Sequence, residues 1–301
     1  MKQKDPSTKN QKYLAIFLAS TMLLSAFMIY FTGDSNTDSD SNVSASGNGE
    51  ENLTISFSQI PGKQVHHEFN SIADGLNMSP GGVISATYVD LQKTTGTPFE
   101  QVLGNVKVMD SLYGADVTKR YGAGYADGNG FELHQIPEQK IFMPWGAIPY
   151  NNYNLLARTN NTYDVWNVVG SPVILGPRQI VEDSIDVLEG NATAETNYSK
   201  ILSQTNPEGS IYQEVITNTD SRDIPADQLY RELKKLDDGS YMQTSLYLNP
   251  EPEFVKKIET LQAGSTTRGV TYNVTASGDI TKLVITSDFG NLLNETQLLS
   301  Q

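Results

Sequence analysis

The sequence contains no cysteine among its 301 residues. Disulfide bonds are therefore excluded, and so are zinc sites with thiolate ligands and lipid attachment through a cysteine thiol. A domain built from this chain must depend on its hydrophobic core. About 250 residues follow position 51, which is enough for one large domain or two small ones.

Histidine is scarce, and the only histidines are His66, His67 and His134. A metal site formed by one of the adjacent pair together with Glu68 and His134 is one interpretation. Ordinary surface or capping histidines are the other, because adjacent residues of a helix point about 100° apart and do not easily face one ion. No metal or other cofactor is predicted.

Familiar catalytic patterns are also missing. The sequence has no Gly-x-Ser-x-Gly, no phosphate-binding loop, no His-Glu-x-x-His and no dinucleotide fingerprint. No catalytic residue is therefore assigned. A pair of acidic residues could still carry acid–base chemistry, but no pair stands out among the 35 acids.

Positive charge is in short supply, with 21 basic residues against 35 acidic ones and a formal net charge of −14. Such a surface repels phosphate groups, so a nucleic-acid partner is not expected. The balance favours a soluble surface on the portion that folds.

Charge is absent altogether from the segment Leu14 to Phe31, which is mostly apolar and contains no proline or glycine. Eighteen helical residues span about 27 Å, close to the hydrocarbon thickness of a bilayer. Four lysines precede the segment, and five acids follow it before Lys63. This pattern predicts a cytoplasmic tail over 1–12 and an uncleaved transmembrane helix over 13–32, with the rest outside the cell. A cleaved signal peptide, the alternative, would have a shorter apolar core and a nearer cleavage site.

The rest of the chain divides by composition. Residues 33–52 are polar and acidic and predict a disordered linker. A first α+β unit is expected over 53–136 and a connector over 137–207. A second α+β unit with a closing C-terminal helix is expected over 208–301.

The two units show the same predicted order, β-α-β-α-β-β. The first ends in a hairpin around Asp127–Gly130 and the second in one around Ser277–Asp279. In the second unit, apolar residues from Leu229 to Leu236 are spaced as in a helix. The sequence therefore predicts an α+β fold of two similar units with mixed or antiparallel sheets. A chance recurrence of this common order is the alternative to a true duplication.

Asn-x-Ser/Thr sequons are about twice as frequent as chance would give, and all of them lie on the predicted outside of the cell. They indicate a glycoprotein. The candidate acceptors are Asn42, Asn52, Asn77, Asn160, Asn191, Asn197, Asn273 and Asn294.

Both tryptophans lie in the connector, where aromatic residues alternate with asparagines. Trp145, Tyr150, Tyr153 and Trp166 are the candidate ligand-binding residues, because aromatic faces with amide partners suit carbohydrate or peptide binding. The other interpretation is that these rings fill the junction between the two units.

The connector segment Tyr163 to Gly176, with the helix that follows it, is similar to segments of uncharacterised, membrane-anchored microbial surface proteins, particularly archaeal ones. The similarity covers about thirty residues. It implies an anchored surface protein and no particular activity.

These observations lead to a functional hypothesis of a single-pass, membrane-anchored surface protein of the cell exterior. Its expected role is non-enzymatic, in ligand binding or in association with envelope proteins or glycans. The alternative is an extracytoplasmic hydrolase with an acidic or metal-assisted site. A third possibility is the sensor part of a complex, whose output would need a partner because the 12-residue tail holds no signalling domain.

Overall fold

Antiparallel strand pairing dominates the fold. The computed structural model describes residues 54–103, 109–157, 164–219 and 224–300. Over these ranges, strands β1 to β16 are Thr54–Ser56, Val65–His66, Val83–Asp90, Lys119–Tyr125, Gly130–Gln135, Lys140–Phe142, Gly146–Tyr150, Tyr153–Ala157, Val165–Val168, Gly170–Ser171, Val173–Pro177, Ser210–Thr217, Gln228–Lys235, Tyr241–Leu248, Thr271–Ser277 and Ile280–Ser287. Helices α1 to α8 are Ile72–Asn77, Leu91–Thr94, Pro98–Leu103, Asp110–Tyr113, Arg178–Leu188, Ser199–Leu202, Pro252–Ala263 and Phe289–Ser300.

Twelve strands form one sheet in the order β15-β16-β14-β13-β12-β3-β4-β5-β11-β9-β8-β7. Many strands that are neighbours in this sheet are consecutive in the chain and are joined by tight turns. The turn between β4 and β5 contains Gly128 at a φ of +84°, and the amide of Asn129 donates to Asp127 Oδ1 at 3.0 Å. Two small sheets, β1 with β6 and β10 with β2, complete the strand pairing.

The two faces of the large sheet carry separate hydrophobic cores. Successive residues of β3 alternate between them, with Tyr88 in one core and Val89 in the other. Phe99 from α3 packs on the Val89 face, together with residues of α7 and α8. Ile72 from α1 and Ile185 from α5 pack on the Tyr88 face. Each strand in the middle of the sheet is therefore buried on both sides.

The predicted α+β fold of two similar units is wrong. A single antiparallel sheet takes β3, β4 and β5 from the first predicted unit, β7 to β9 and β11 from the connector, and β12 to β16 from the second unit. The two halves join directly, because β3 pairs with β12 in the middle of the sheet. The recurrence of element order thus did not indicate two separate packing units.

One element in the second unit has the wrong type. Residues Leu229 to Leu236 were predicted as a helix, whereas Gln228–Lys235 is strand β13. Leu229 and Leu233 are buried on the Val89 face, and Tyr230 is buried on the Tyr88 face. A strand covered on both faces does not alternate between apolar and polar residues, so its pattern resembled a helical one.

The predicted transmembrane helix over 13–32 lies outside the described residues, as do the predicted tail over 1–12 and the predicted linker over 33–52. Among the helices that the structure describes, none is long and apolar enough to cross a bilayer. We therefore correct the prediction of an N-terminal transmembrane helix and of a single-pass membrane localisation, which this structure does not bear out.

Candidate functional site

The segment that leads into β7, the strand at one edge of the sheet, carries the most exposed large apolar side chains of the described residues. β7 and β8 form a hairpin whose turn residues, Asn151 and Asn152, have φ of +46° and +67°. Asparagine tolerates this left-handed conformation better than most residues, which explains a two-residue turn at this point. The turn fixes the register of β7 on β8.

Trp145 stands just before β7, and 76% of its surface is exposed. Met143, two residues earlier, is 59% exposed. Ala147 and Pro149 are also exposed, so apolar residues face solvent at every second position. We call Met143, Trp145, Ala147 and Pro149 the edge stripe. A row of this kind on a protein surface is typical of an interaction site.

The backbone beneath the edge stripe is held in place. The amide of Trp145 donates to the carbonyl oxygen of Ala157 at 3.1 Å, and Gly146 pairs with Ala157 in the hairpin. Trp145 therefore presents a solvent-exposed ring from a backbone that is bonded to β8, and little backbone entropy would be lost when a partner covers it.

Tyr150 and Tyr153 were predicted to bind a ligand, but their hydroxyls have partners on helix α5. Tyr150 donates to Asp186 Oδ2 at 2.9 Å, and Tyr153 donates to Glu189 Oε1 at 2.7 Å. The hydrogen bond to Asp186 raises the pKa of Tyr150 to about 12. Burial, followed by the bond to Glu189, raises the pKa of Tyr153. These bonds fix the hairpin on the helix.

Trp166 lies on β9, two strands inward from the edge, and only 9% of its surface is exposed. Its indole nitrogen donates to Asp164 Oδ1 at 2.7 Å. The structure therefore separates the two tryptophans, with Trp166 in the core of the Tyr88 face and Trp145 in solvent.

The asparagines beside these rings are also engaged. Asn151 Nδ2 donates to Asp186 Oδ1 at 2.8 Å, and Asn154 Nδ2 donates to the carbonyl of Pro61 at 2.6 Å. A carbohydrate site needs amide or carboxylate groups directed at sugar hydroxyls beside the ring. Here two of the three nearby amides are directed into the protein.

A buried polar cluster on the Val89 face was not found from the sequence. Arg120 on β4 lies opposite His134 on β5, and Glu132 lies two residues before His134 on the same side of that strand. Arg120 Nε donates to Glu132 Oε2 at 3.2 Å, and Nη2 of the same guanidinium donates to Oε1. His134 Nε2 lies 2.7 Å from Glu132 Oε2, and His134 Nδ1 lies 2.7 Å from the hydroxyl of Tyr113. The alternation of β5 was the only available signal, because it places Glu132 and His134 on one face.

The electrostatics of this cluster favour a stable ion pair. Burial by itself would raise the pKa of Glu132, but Arg120 and His134 together hold it at about 2. An ionised Glu132 can only accept, so His134 Nε2 carries the proton in their bond and Nδ1 can accept from Tyr113. His134 has no exposed surface. A carboxylate of such low basicity beside an inaccessible imidazole is poorly suited to acid–base catalysis.

A second ion pair continues the same row across the sheet. Glu214 on β12 lies opposite Arg231 on β13, and Arg231 Nη1 donates to Glu214 Oε2 at 3.2 Å. Thr87 and Gly122 lie between Glu214 and Glu132 on the intervening strands. The row places two carboxylates and their arginine partners under the helices of the Val89 face.

The histidines considered as metal ligands are not brought together. His66 is on the short strand β2, His67 Nδ1 lies 2.8 Å from the carbonyl oxygen of Glu68, and both ring nitrogens of His134 are engaged as described above. Over the described ranges, no group of three His, Cys, Asp or Glu residues is arranged to hold a metal ion.

The sequon asparagines Asn42, Asn52 and Asn160 lie outside the described residues. The side chains of the other five are exposed: Asn77, Asn191, Asn197, Asn273 and Asn294.

Comparison with known proteins gives a distant family link. A family model described as AF_2048_N, family N-terminal domain, matches residues 68–189. The structure is similar to crystal form III of TP0453, with 12% identity, a TM-score of 0.45 and coverage of 74% of this chain and 97% of the other. Crystal form I of TP0453 gives 11% identity, a TM-score of 0.44 and coverage of 75% and 97%. No curated protein matches the chain. None of these matches shows a relationship to membrane-anchored archaeal surface proteins.

Proposed function

We propose that this chain is a non-enzymatic binding protein and that its edge stripe holds an apolar segment of a partner protein. The observation that carries the proposal is the 76% exposure of Trp145, whose backbone is bonded to Ala157 at the start of the edge strand β7. Tryptophan is the side chain most enriched at the energetic centres of protein interfaces, because its large ring loses little conformational freedom on burial.

The composition of the edge stripe favours a protein segment over a glycan. Met143, Ala147 and Pro149, at alternate positions on either side of Trp145 in the sequence, are exposed as well and carry no charge. Asn151 and Asn154, which would otherwise offer amides to sugar hydroxyls, already donate to protein oxygens. A flexible methionine beside a rigid indole suits a surface that accepts apolar side chains of variable shape.

Peptide selection tests the proposal. A displayed library of random peptides would be selected for binding to the full chain. The affinity of each enriched peptide would then be measured for the wild type, for Trp145→Ala and for Glu259→Ala. Glu259 is a control because it is exposed on α7, in a different part of the sequence. We expect apolar peptides whose affinity falls about tenfold or more with Trp145→Ala and is unchanged with Glu259→Ala.

Fluorescence supplies an independent measurement on the same complexes. Binding should shift the emission of Trp145 to shorter wavelength, because the indole leaves water, whereas Trp166 is already buried. Failure to enrich any peptide, or equal binding by Trp145→Ala, would contradict the proposal. Binding to a glycan array that is lost in Trp145→Ala would indicate that the partner is a carbohydrate and not a protein segment.

A further inference from the structure

The two edges of the large sheet differ in whether they can accept another strand. β15 is the last strand at one edge and β7 is the last at the other. Strand β15, Thr271–Ser277, is seven residues long and contains no proline and no charged residue. Edge strands of natural proteins are usually protected by prolines, charges or bulges, because an open edge pairs with other chains.

The hairpin geometry determines which backbone groups of β15 point away from the sheet. β15 and β16 are joined by a two-residue turn, Gly278–Asp279, and Ser277 pairs with Ile280. The Ser277–Ile280 pair flanks the turn and is hydrogen-bonded, so the backbone groups of Ser277 point toward β16. Along β15, residues whose backbone groups point toward β16 then alternate with residues whose groups point away from it. The amides and carbonyls of Tyr272, Val274 and Ala276 therefore point outward. Within the described residues, no other strand pairs with this side of β15.

The opposite edge is closed by its sequence. On β7, the Tyr150–Tyr153 pair flanks the two-residue turn and is hydrogen-bonded. By the same alternation, the backbone groups of residues 147 and 149 point away from β8. Position 149 is proline, which has no amide hydrogen to donate. A strand that approached β7 would lose one of the bonds it needs, so pairing at this edge is disfavoured.

We infer that β15 pairs antiparallel with β15 of a second copy of the chain, which joins two twelve-stranded sheets across a two-fold axis. One open edge and one closed edge restrict the product to a dimer, because a sheet with two open edges would add copies without limit. The lack of charge on β15 favours a second copy as the occupant. Each chain carries a net charge of −14, and this strand lets two copies approach with no like charges opposed across the new pairing.

The side chains beside the open edge suit such a pairing. Thr271, Asn273, Thr275 and Ser277 are exposed on one side of the strand, where threonine and asparagine pairs are compatible with neighbouring strands. Tyr272 on the other side is buried and holds β15 against the core of the Val89 face, so the edge is fixed in an extended conformation.

Sedimentation velocity of the full chain over a wide concentration range tests the inference. The test variant is Ala276→Pro, which removes an outward amide from an exposed position and none of the bonds to β16. The matched control is Ala276→Ser, which keeps the amide. We expect the wild type and Ala276→Ser to approach about 66 kDa, twice the 33.1 kDa of one chain, and Ala276→Pro to stay at 33.1 kDa.

Pro149→Ala provides the reciprocal experiment, because it gives the second edge an amide. We expect this variant to form species larger than a dimer. Hydrogen exchange on the unmodified protein gives a readout that does not depend on any variant folding, since the amides of Tyr272, Val274 and Ala276 should exchange more slowly as concentration rises. A wild type that stays at 33.1 kDa, or a dimer that persists in folded Ala276→Pro, would overturn the inference. Outward amides that exchange rapidly at all concentrations would overturn it as well.

Discussion

Replacement of Glu132 by glutamine tests the buried polar cluster most directly. Glutamine keeps the size and shape of the side chain but removes the charge that faces Arg120 and His134. Both partners direct N–H groups at the carboxylate. A glutamine amide has one oxygen to accept and one NH₂ group that would meet another donor, so at least one buried hydrogen bond is lost.

The size of the effect follows from the pKa of Glu132. Burial raises that pKa, and Arg120 and His134 lower it by more, so that it falls from 4.5 to about 2; this net shift corresponds to about 3 kcal/mol in favour of the ionised form. The carboxylate is almost completely buried, so solvent screening reduces this energy little. We expect Glu132→Gln to lower the free energy of unfolding by about 3 kcal/mol near neutral pH.

The pH dependence of stability shows independently whether the ionised Glu132 stabilises the folded protein. A group whose pKa is lower in the folded state stabilises the protein above its unfolded pKa, and that contribution disappears as the pH falls through the folded pKa. Glu132 should therefore contribute fully above its ordinary pKa of 4.5 and lose this contribution as the pH falls to about 2. Urea unfolding, followed by circular dichroism across this range, should show wild type and Glu132→Gln converging in stability at the acidic end.

Glu138→Gln is the matched control, because Glu138 also forms an ion pair, with Lys140, but is exposed. An exposed pair of this kind contributes about 0.5 kcal/mol or less. A loss below about 1 kcal/mol for Glu132→Gln, or a constant difference from wild type between neutral and acidic pH, would refute the assignment of Glu132 as a buried ionised group.

Three further results are expected. Gly75→Ala should destabilise the protein by about 2–3 kcal/mol in urea unfolding, because a Cβ there would lie 2.3 Å from the buried ring of Tyr121. Gly81→Ala, which meets no atom within 4 Å, should change stability by less than about 0.5 kcal/mol, and equal effects would contradict the packing around Gly75. Trp145→Phe should remove most of the fluorescence that acrylamide quenches, and Trp166→Phe should leave it, whereas similar quenching of both indoles would be inconsistent with their exposures. Trp166→Ala should cost about 3–5 kcal/mol of stability, measured by thermal or urea unfolding.

Local structure was predictable where the signal lies within one short stretch of sequence. The hairpin around Asp127–Gly130 is present, because turn residues of this kind are needed wherever a chain reverses tightly. Helix α5 follows the connector segment that ends at Gly176, and the closing C-terminal helix is present as α8. Strand β13 was predicted as a helix, because burial on two faces removes the alternation that identifies a strand.

The candidate site was only partly accessible to sequence reasoning. The aromatic cluster of the connector is visible in the sequence, but composition does not distinguish an exposed ring from a buried one. Trp145 and Trp166 differ because one precedes an edge strand and the other lies two strands inward. The metal hypothesis included His134, whereas the structure gives this side chain two protein partners, Glu132 on its own strand and Tyr113 on helix α4, which lies 21 residues earlier in the sequence.

The sequence by itself determined the absence of disulfides, the excess of acidic residues, and the positions of two hairpin turns and of the closing C-terminal helix. These properties depend on composition or on contacts between residues that are close in the chain. Only the tertiary structure decided that β3 and β12 join the two halves into one sheet, which strands become its edges, and which polar residues share a buried row. The physical reason is that strand order depends on pairing between segments far apart in sequence, and the pattern of any one strand does not identify its neighbours.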